Sequence, residues 1–551
     1  MARKKISSVF LLFALFQPNA AWSKSFEAFH GVDICTDDEE WTLPGGIPRE
    51  PEIETSASDI DLERLGEVYK AEAKATDAGV KDYFKYMVGR DYFSAGLIHL
   101  ANEKFEKIVQ SSAYKRSPGV WVAALECMNK IQISNKAFTF SRKTQKSILR
   151  FSATEVPAKY RNPLRRAALG FVRAKAVDGF KPSEKKRLAK MLSGNPAYEP
   201  FTLGLIEVAS DRADRVIKHM EKFLKIDVDE LPEDLRGNVE MAKMALARAY
   251  FEKKKFKQSI ATYETIDKNS NFIIDSIVEK TWAQFRSKDY SSALGSAIGL
   301  HMGDFKRAFH PDSEMLITTG YFEICQLNEA KRMIKVFTRN YYKTNKWLKA
   351  WRSDRKKRNL YEEMLSALST RKETVPAHVL TEWVRSPVFS AYQEEVNLIH
   401  KERESLVDVF DGVKTVNRSL ASDQSVVAGA KLAHVELTKY RKRLTSLESR
   451  AVAKIQSALT GINLFMIEHL KDRISNLMLL RAEILGDLGN KNLGKKKMTS
   501  QEAPGGDDVW DWGEAEMGKG SENAEVWQDE IGIARADLPN ICVRGKDSVA
   551  K

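Results

Sequence analysis

Gly489 to Lys495 spells G-x-x-x-x-G-K. In a nucleotide-binding protein, a loop of this kind wraps phosphates with its backbone N–H groups while the lysine reaches the terminal phosphates. That chemistry needs Ser or Thr next, to hold magnesium, and a strand before the loop. Here Lys496 follows, and the preceding pattern is helical. A glycine helix stop followed by lysines accounts for the motif. The nine histidines are scattered: none makes H-E-x-x-H, and there is no G-x-S-x-G around a serine. Zinc-assisted hydrolysis and an activated serine therefore have no signature. Cys35, Cys127, Cys325 and Cys542 form neither a C-x-x-C nor a zinc-ligand spacing. Carboxylates are many, but nothing singles out a pair for acid–base work. The chain reads as a non-enzyme, with no cofactor and no metal expected.

Binding is better represented. Between Lys343 and Arg358, Trp347 and Trp351 are four apart and share a helix face. Lys349, Arg352 and Lys356 line an adjacent face, with Arg355 and Lys357 nearby. A basic, aromatic helix suits lipid head groups, glycan or an acidic protein segment. The competing reading puts both tryptophans in the core and the charges on the solvated back of the helix. A third has the basic face receive one of the protein's own acidic segments.

Those segments follow from how charge is distributed. The chain carries +13 overall, but residues 24–63 carry −10 and residues 500–531 carry −9; with +3 on residues 1–23 and +2 on residues 532–551, residues 64–499 carry +27. Like-charge blocks are commonly solvated. Opposite charge also favours folding the arms back onto the basic body, a docking that salt weakens.

Arg3, Lys4 and Lys5, the apolar run Ile6 to Phe16, and Ala20-Ala21-Trp22-Ser23 have the form of a secretory signal cleaved near residue 23. No later stretch has the length and apolarity of a membrane span. The expectation is an exported, periplasmic protein. There the available anions are phospholipid and lipopolysaccharide head groups, peptidoglycan and acidic proteins, so no nucleic acid is expected. An even number of cysteines fits that compartment. Cys35 and Cys542, both in acidic terminal segments, are the expected pair, and Cys127 and Cys325 are expected as buried free thiols.

The elements behind these residues are helical. Pro44-Gly45-Gly46-Ile47-Pro48 excludes helix from the first arm. From about Leu62 apolar residues recur at three and four. Leu246, Ala247, Tyr250, Phe256, Ser259, Ile260 and Tyr263 then set a pattern. Tyr290, Ala293 and Leu294 repeat its later members 34 residues on. A third unit, with Tyr321, Phe322 and Ala330, is longer by three residues, which the loop Gly303 to Ser313 absorbs. The period and residue types resemble the tetratricopeptide (TPR) repeat, a two-helix unit that stacks on its neighbours and offers a groove to partners. Further on, Leu444, Leu447, Ala451, Ile455, Leu459, Ile462, Met466, Leu470, Ile474 and Leu477 step by three or four. This heptad-like seam suits a coiled-coil hairpin, a partner helix or packing onto the repeats.

The expected organisation is therefore all-α. It comprises a signal (1–23), an acidic irregular arm (24–61), degenerate helical repeats (62–230), clear repeats (231–345), long coiled-coil-like helices (346–489), and a linker with an acidic tail (490–551). In that tail Trp510, Trp512 and Trp527 stand among acids as docking candidates. Trp512-Gly513-Glu514, then Glu525-Val526-Trp527-Gln528-Asp529-Glu530-Ile531-Gly532, then Cys542 resembles the tails of exported TPR proteins of predatory and gliding deltaproteobacteria, some belonging to the adventurous gliding-motility envelope apparatus. This sequence departs from those tails by the stretch Met517 to Ala524 and by Ile531 in place of leucine. The resemblance covers the signal, residues 240–340 and the tail. It implies a periplasmic scaffold in an envelope complex.

Overall fold

The three-and-four spacing of apolar residues is answered by helices throughout. The computed structural model describes residues 65–494, apart from 66, 67, 70, 71, 112, 117, 152–160, 176–179, 357, 371–373 and 420–423. Among the described residues every regular element is helical and there is no strand.

The chain divides into two compact units. Unit 1 takes the described residues up to Asn238 together with Pro387–Ile455, and unit 2 takes Val239–Ser386 with the described residues from Gln456. In unit 1 the helices are α1 (Ala78–Ser94), α2 (Ile98–Gln110), α3 (Ala113–Arg116), α4 (Pro118–Ser134), α5 (Arg142–Ile148), α6 (Arg161–Lys175), α7 (Pro182–Leu192), α8 (Tyr198–Val208), α9 (Ala213–Leu224) and α10 (Glu233–Arg236). In unit 2 they are α11 (Val239–Glu252), α12 (Phe256–Glu264), α13 (Ile273–Arg286), α14 (Tyr290–Gly299), α15 (Pro311–Glu323), α16 (Leu327–Asp354), α17 (Leu360–Thr370) and α18 (Ala377–Arg385). The α19 helix (Pro387–Ser419) follows, and α20 (Gln424–Gly494) runs for 71 residues, contributing its first part to unit 1 and its second to unit 2.

In unit 2 each helix from α11 to α16 packs on the next, and α11–α13 and α13–α15 also touch. These are helical hairpins stacked side by side. Each hairpin reverses through the same turn. Lys254, Lys288 and Cys325 hold the left-handed conformation at φ of 60°, 66° and 63°. Each donates its N–H to the carbonyl three residues back (Phe251, Phe285, Phe322), and the next residue donates five back (Tyr250, Gln284, Tyr321). This double bond satisfies carbonyls that the helix end leaves open.

The same turn occurs twice in unit 1, at Gly96 (φ 74°) between α1 and α2 and at Asp211 (φ 55°) between α8 and α9. Around all five turns the small positions agree. Seven residues before lie Gly89, Gly204, Ala247, Thr281 and Thr318, and five after lie Ala101, Val216, Ser259, Ala293 and Ala330. All ten are buried. Small side chains on facing helices let the two backbones approach, and Ser259 Oγ closes one such contact by donating to the Ala247 carbonyl at 2.8 Å. Two of the units in the region expected to hold degenerate repeats are thus geometrically regular, although 43 residues rather than 34 separate Asp211 from Lys254.

Long helices do not begin where expected. After α16 ends at Asp354 the chain makes two short helices, and only α19 and α20 are long. The expected seam is buried along most of its length: Leu444, Ala451, Ile455, Leu459, Ile462, Met466, Leu470 and Leu477 are all core residues. The first part of α20 forms a helical hairpin with α19, where Glu448 meets His400 and Arg403 and Tyr440 donates to Glu402, and its second part packs on the helices of unit 2. Cys127 and Cys325 correct the expectation of free thiols, since both are disulfide-bonded. Cys325 occupies a half-buried turn position rather than a helix interior.

Candidate functional site

The α16 helix runs 28 residues, twice the length of α11 or α13. Its apolar stripe, Phe337, Tyr341, Leu348 and Trp351 with Thr344, steps by three or four and is buried. Trp351 belongs to that stripe and is 1% exposed. Trp347, half-buried beside it, donates its indole N–H to the Thr374 carbonyl at 3.2 Å. It meets the Trp383 ring at 5.7 Å and lies under the Arg358 guanidinium at 4.7 Å. The two tryptophans are therefore engaged within the fold, on a different face from the exposed cations.

The cations do share a surface. Lys349 and Arg352 of α16 are exposed, as are Lys335, Arg339, Lys343 and Lys346 nearer its start, and so are Arg355 and Lys356 just past its end. Arg352 approaches Glu468 at 3.8 Å, with both side chains mostly in water. Such a pair is worth little. The aromatic that stands among these charges is Tyr342, at 62% exposure. Sequence reasoning passed over it because a single tyrosine has no spacing to betray it.

Residues of the first helices in unit 2, where a groove partner was expected, hold the chain's own α20. Arg473 makes an ion pair with Asp312 at 2.7 Å and reaches over the Trp282 ring at 6.0 Å. His469 Nε2 lies 2.8 Å from the same carboxylate. Burial alone would raise the Asp312 pKa, but His469 and Arg473 together hold it below the usual carboxylate range. Asn463 accepts from the buried Trp383 indole at 2.9 Å, and Gln456 caps the chain at Tyr361 and Arg358.

A polar cluster is buried where the third hairpin of unit 2 departs from the 34-residue period. His301 follows α14, His310 is the N-cap of α15, and Ser313 and Glu314 lie in the first turn of α15. His301, His310 and Glu314 each present a ligand atom, all within 4.8 Å of one another, and all three are buried. His310 Nε2 lies 3.0 Å from the Phe305 carbonyl, in the 3-10 turn Gly303–Arg307. Glu314 accepts from Asn340 at 3.3 Å and from Tyr341 at 3.4 Å, both on α16. Burial pushes His301 down to about 4. Burial, with His301 adding to it, lowers His310 also. Burial raises Glu314 despite its hydrogen bonds. No metal-ligand spacing marks these residues in the sequence; the visible signal was the three-residue insertion containing His310-Pro311.

Unit 1 has its own buried charges. His99 on α2 sits between Glu395 (2.7 Å) and Glu402 (3.0 Å) of α19. Tyr440 of α20 donates to Glu402. Burial would lower the His99 pKa, but the two carboxylates prevail and raise it to about 10. Beside it, Lys104 ion-pairs with Glu436 at 2.7 Å, and Tyr92 donates to the same carboxylate at 2.9 Å. These groups are mutually satisfied and clamp α19 and α20 to α2.

Gly489 to Gly494 form the last residues of α20, so no glycine loop is present there to cradle a phosphate. Trp510, Trp512, Trp527, Cys35 and Cys542 lie outside the described residues, as do the segment expected to be a signal (1–23), the acidic arm (24–61) and the tail from residue 495. No protein-family model matches the chain, and no curated protein matches it in sequence.

Proposed function

We propose that this chain is an exported TPR-type scaffold that binds an acidic protein partner of the cell envelope along the outer, cationic side of α16. The observation that carries the reading is the fivefold recurrence of one hairpin turn with small residues at fixed offsets, the construction by which repeat proteins stack helices into extended binding surfaces. Occupation of Trp282 and Asp312 by α20 argues that the partner docks elsewhere. The cationic stripe is exposed, and in this reading Tyr342 is its anchor and charge its means of attraction. The disulfide-bonded state of Cys127 and Cys325 supports the exported location. Membership of a gliding-motility-type machine rests on the tail resemblance alone.

Crosslinking in cells, recovery of the tagged protein and mass spectrometry test this. Wild type brings down a reproducible set of envelope proteins, and the variant Lys346→Glu, Lys349→Glu, Arg352→Glu loses them. An unchanged set from that variant removes α16 from the account. Recovery of peptidoglycan or anionic lipid without protein moves the function to surface binding, the second reading of the same cations.

A further inference from the structure

The geometry points to a divalent-cation site of the zinc class at His301, His310 and Glu314 of unit 2. Two imidazoles and one carboxylate are a ligand set that such ions favour over calcium or magnesium. Two of the three ligands are held from behind. The Phe305 carbonyl, 3.0 Å from His310 Nε2, accepts a hydrogen bond from that N–H, which leaves the lone pair on Nδ1 facing Ser313. Asn340 and Tyr341 fix the Glu314 carboxylate. His301 Nδ1 is 3.8 Å from Glu314 Oε1.

The three side chains converge on the Ser313 hydroxyl. Ser313 Oγ is 2.8 Å from His310 Nδ1, 2.9 Å from His301 Nε2, 3.1 Å from Glu314 Oε2 and 2.9 Å from the His310 carbonyl. One hydroxyl thus touches a polar atom of all three residues, so the three converge on a single point in a buried space. Tetrahedral zinc holds its ligands at about 2.0–2.2 Å, hence roughly 3.3 Å from one another. Ligand atoms within 4.8 Å of one another must close by up to about 1.5 Å, and the Ser313 hydroxyl between them must turn aside.

All three ligands belong to the segment from His301 to Glu314, which contains the insertion that lengthens this repeat. The ion would fasten the inserted loop to α15, and through Asn340 and Tyr341 to α16. The site has a structural use that the repeat pattern does not require, and it stands whether or not the scaffold reading holds.

The test uses the full-length chain, stripped by chelator and then loaded with Zn²⁺ alone or Co²⁺ alone. Expected are about one equivalent of zinc retained after desalting, a raised melting temperature, and a Co²⁺ form with the intense visible bands of a four-coordinate site. His310→Gln and Glu314→Gln, which preserve side-chain volume, lose the retained ion, whereas His400→Gln, altering an exposed histidine on α19, retains it. Asn340→Leu weakens binding by about 10–100-fold, the usual cost of losing a group that holds a ligand in place. A wild-type chain that retains no zinc, or whose Co²⁺ spectrum is that of a six-coordinate ion, overturns the proposal without reference to any variant. So does equal retention by folded His310→Gln.

Discussion

The repeated hairpin turn makes a paired prediction at Gly89 and Gly204, which occupy equivalent places in α1 and α8. A β-carbon at Gly89 would lie 2.6 Å from Phe105 Cε1 and 3.0 Å from Cδ1. At Gly204 it would lie 2.6 Å from Met220 Cε and 3.0 Å from Sδ. Phe105 and Met220 are themselves equivalent, each nine residues after its turn residue. The two overlaps look alike but are not. Phe105 is fully buried with its ring 5.8 Å from Tyr86, so its plane has nowhere to swing. Met220 meets the intruding methyl with the flexible end of an unbranched chain. Replacing Gly by Ala inside a helix gains about 1 kcal/mol from propensity. Overpacking a core costs about 1–3 kcal/mol, and a rigid ring belongs at the upper end. Gly89→Ala should therefore destabilise by about 1–2 kcal/mol, and Gly204→Ala should be close to neutral or slightly stabilising. Both positions are in unit 1, so urea unfolding followed by circular dichroism reads them in the same transition. A Gly89→Ala protein as stable as wild type would refute the close helix approach on which the hairpin rests.

Two further predictions concern buried charge. Arg248 on α11 makes a bidentate pair with Glu279 on α13 at 2.7 and 2.6 Å, and Tyr263 of α12 donates to the same carboxylate at 2.7 Å. Glu279→Ala leaves the guanidinium buried and alone, so unit 2 should lose about 3–5 kcal/mol, seen as an early transition in denaturant. His99 has its pKa raised from 6.5 to about 10 by Glu402 and Glu395 acting against burial. The folded state thus holds a proton that the unfolded chain releases. The stabilisation is complete below about pH 6.5 and is lost as pH rises through about 10. Unit 1 melting temperatures measured from pH 6 to 10 should fall, and His99→Gln should flatten that decline; parallel slopes for the two proteins would contradict the assignment.

The hairpins near residues 240–340 were legible because aromatic and small residues recur at 34, and that spacing follows directly from two helices and a turn. The earlier hairpins at α1–α2 and α8–α9 were not, because their spacing drifts and Met220 and Val216 replace the usual residue types. A usable signal was still present: Gly89 and Gly204 stand seven residues before Gly96 and Asp211. The tryptophans at 347 and 351 show the limit of periodicity. Four-residue spacing places two side chains on one helix face but does not say whether that face meets water or Phe337, Tyr341 and Leu348. The α20 seam has the same ambiguity, resolved by Asp312 and Trp383, which are distant in sequence from the residues they receive. The His301–His310–Glu314 cluster escaped for a different reason. Its ligands are brought together by an irregular loop and a 3-10 turn, and no fixed spacing describes such a path.

The most direct test of the scaffold account is to place a photoreactive phenylalanine analogue at Tyr342, the exposed aromatic of α16, and irradiate living cells. The same residue at Val407, an exposed position on α19, serves as the control. The account predicts a discrete adduct from position 342 whose second component is an acidic envelope protein, weakened by high salt and absent from position 407. No adduct at 342, or the same products from both positions, would contradict it.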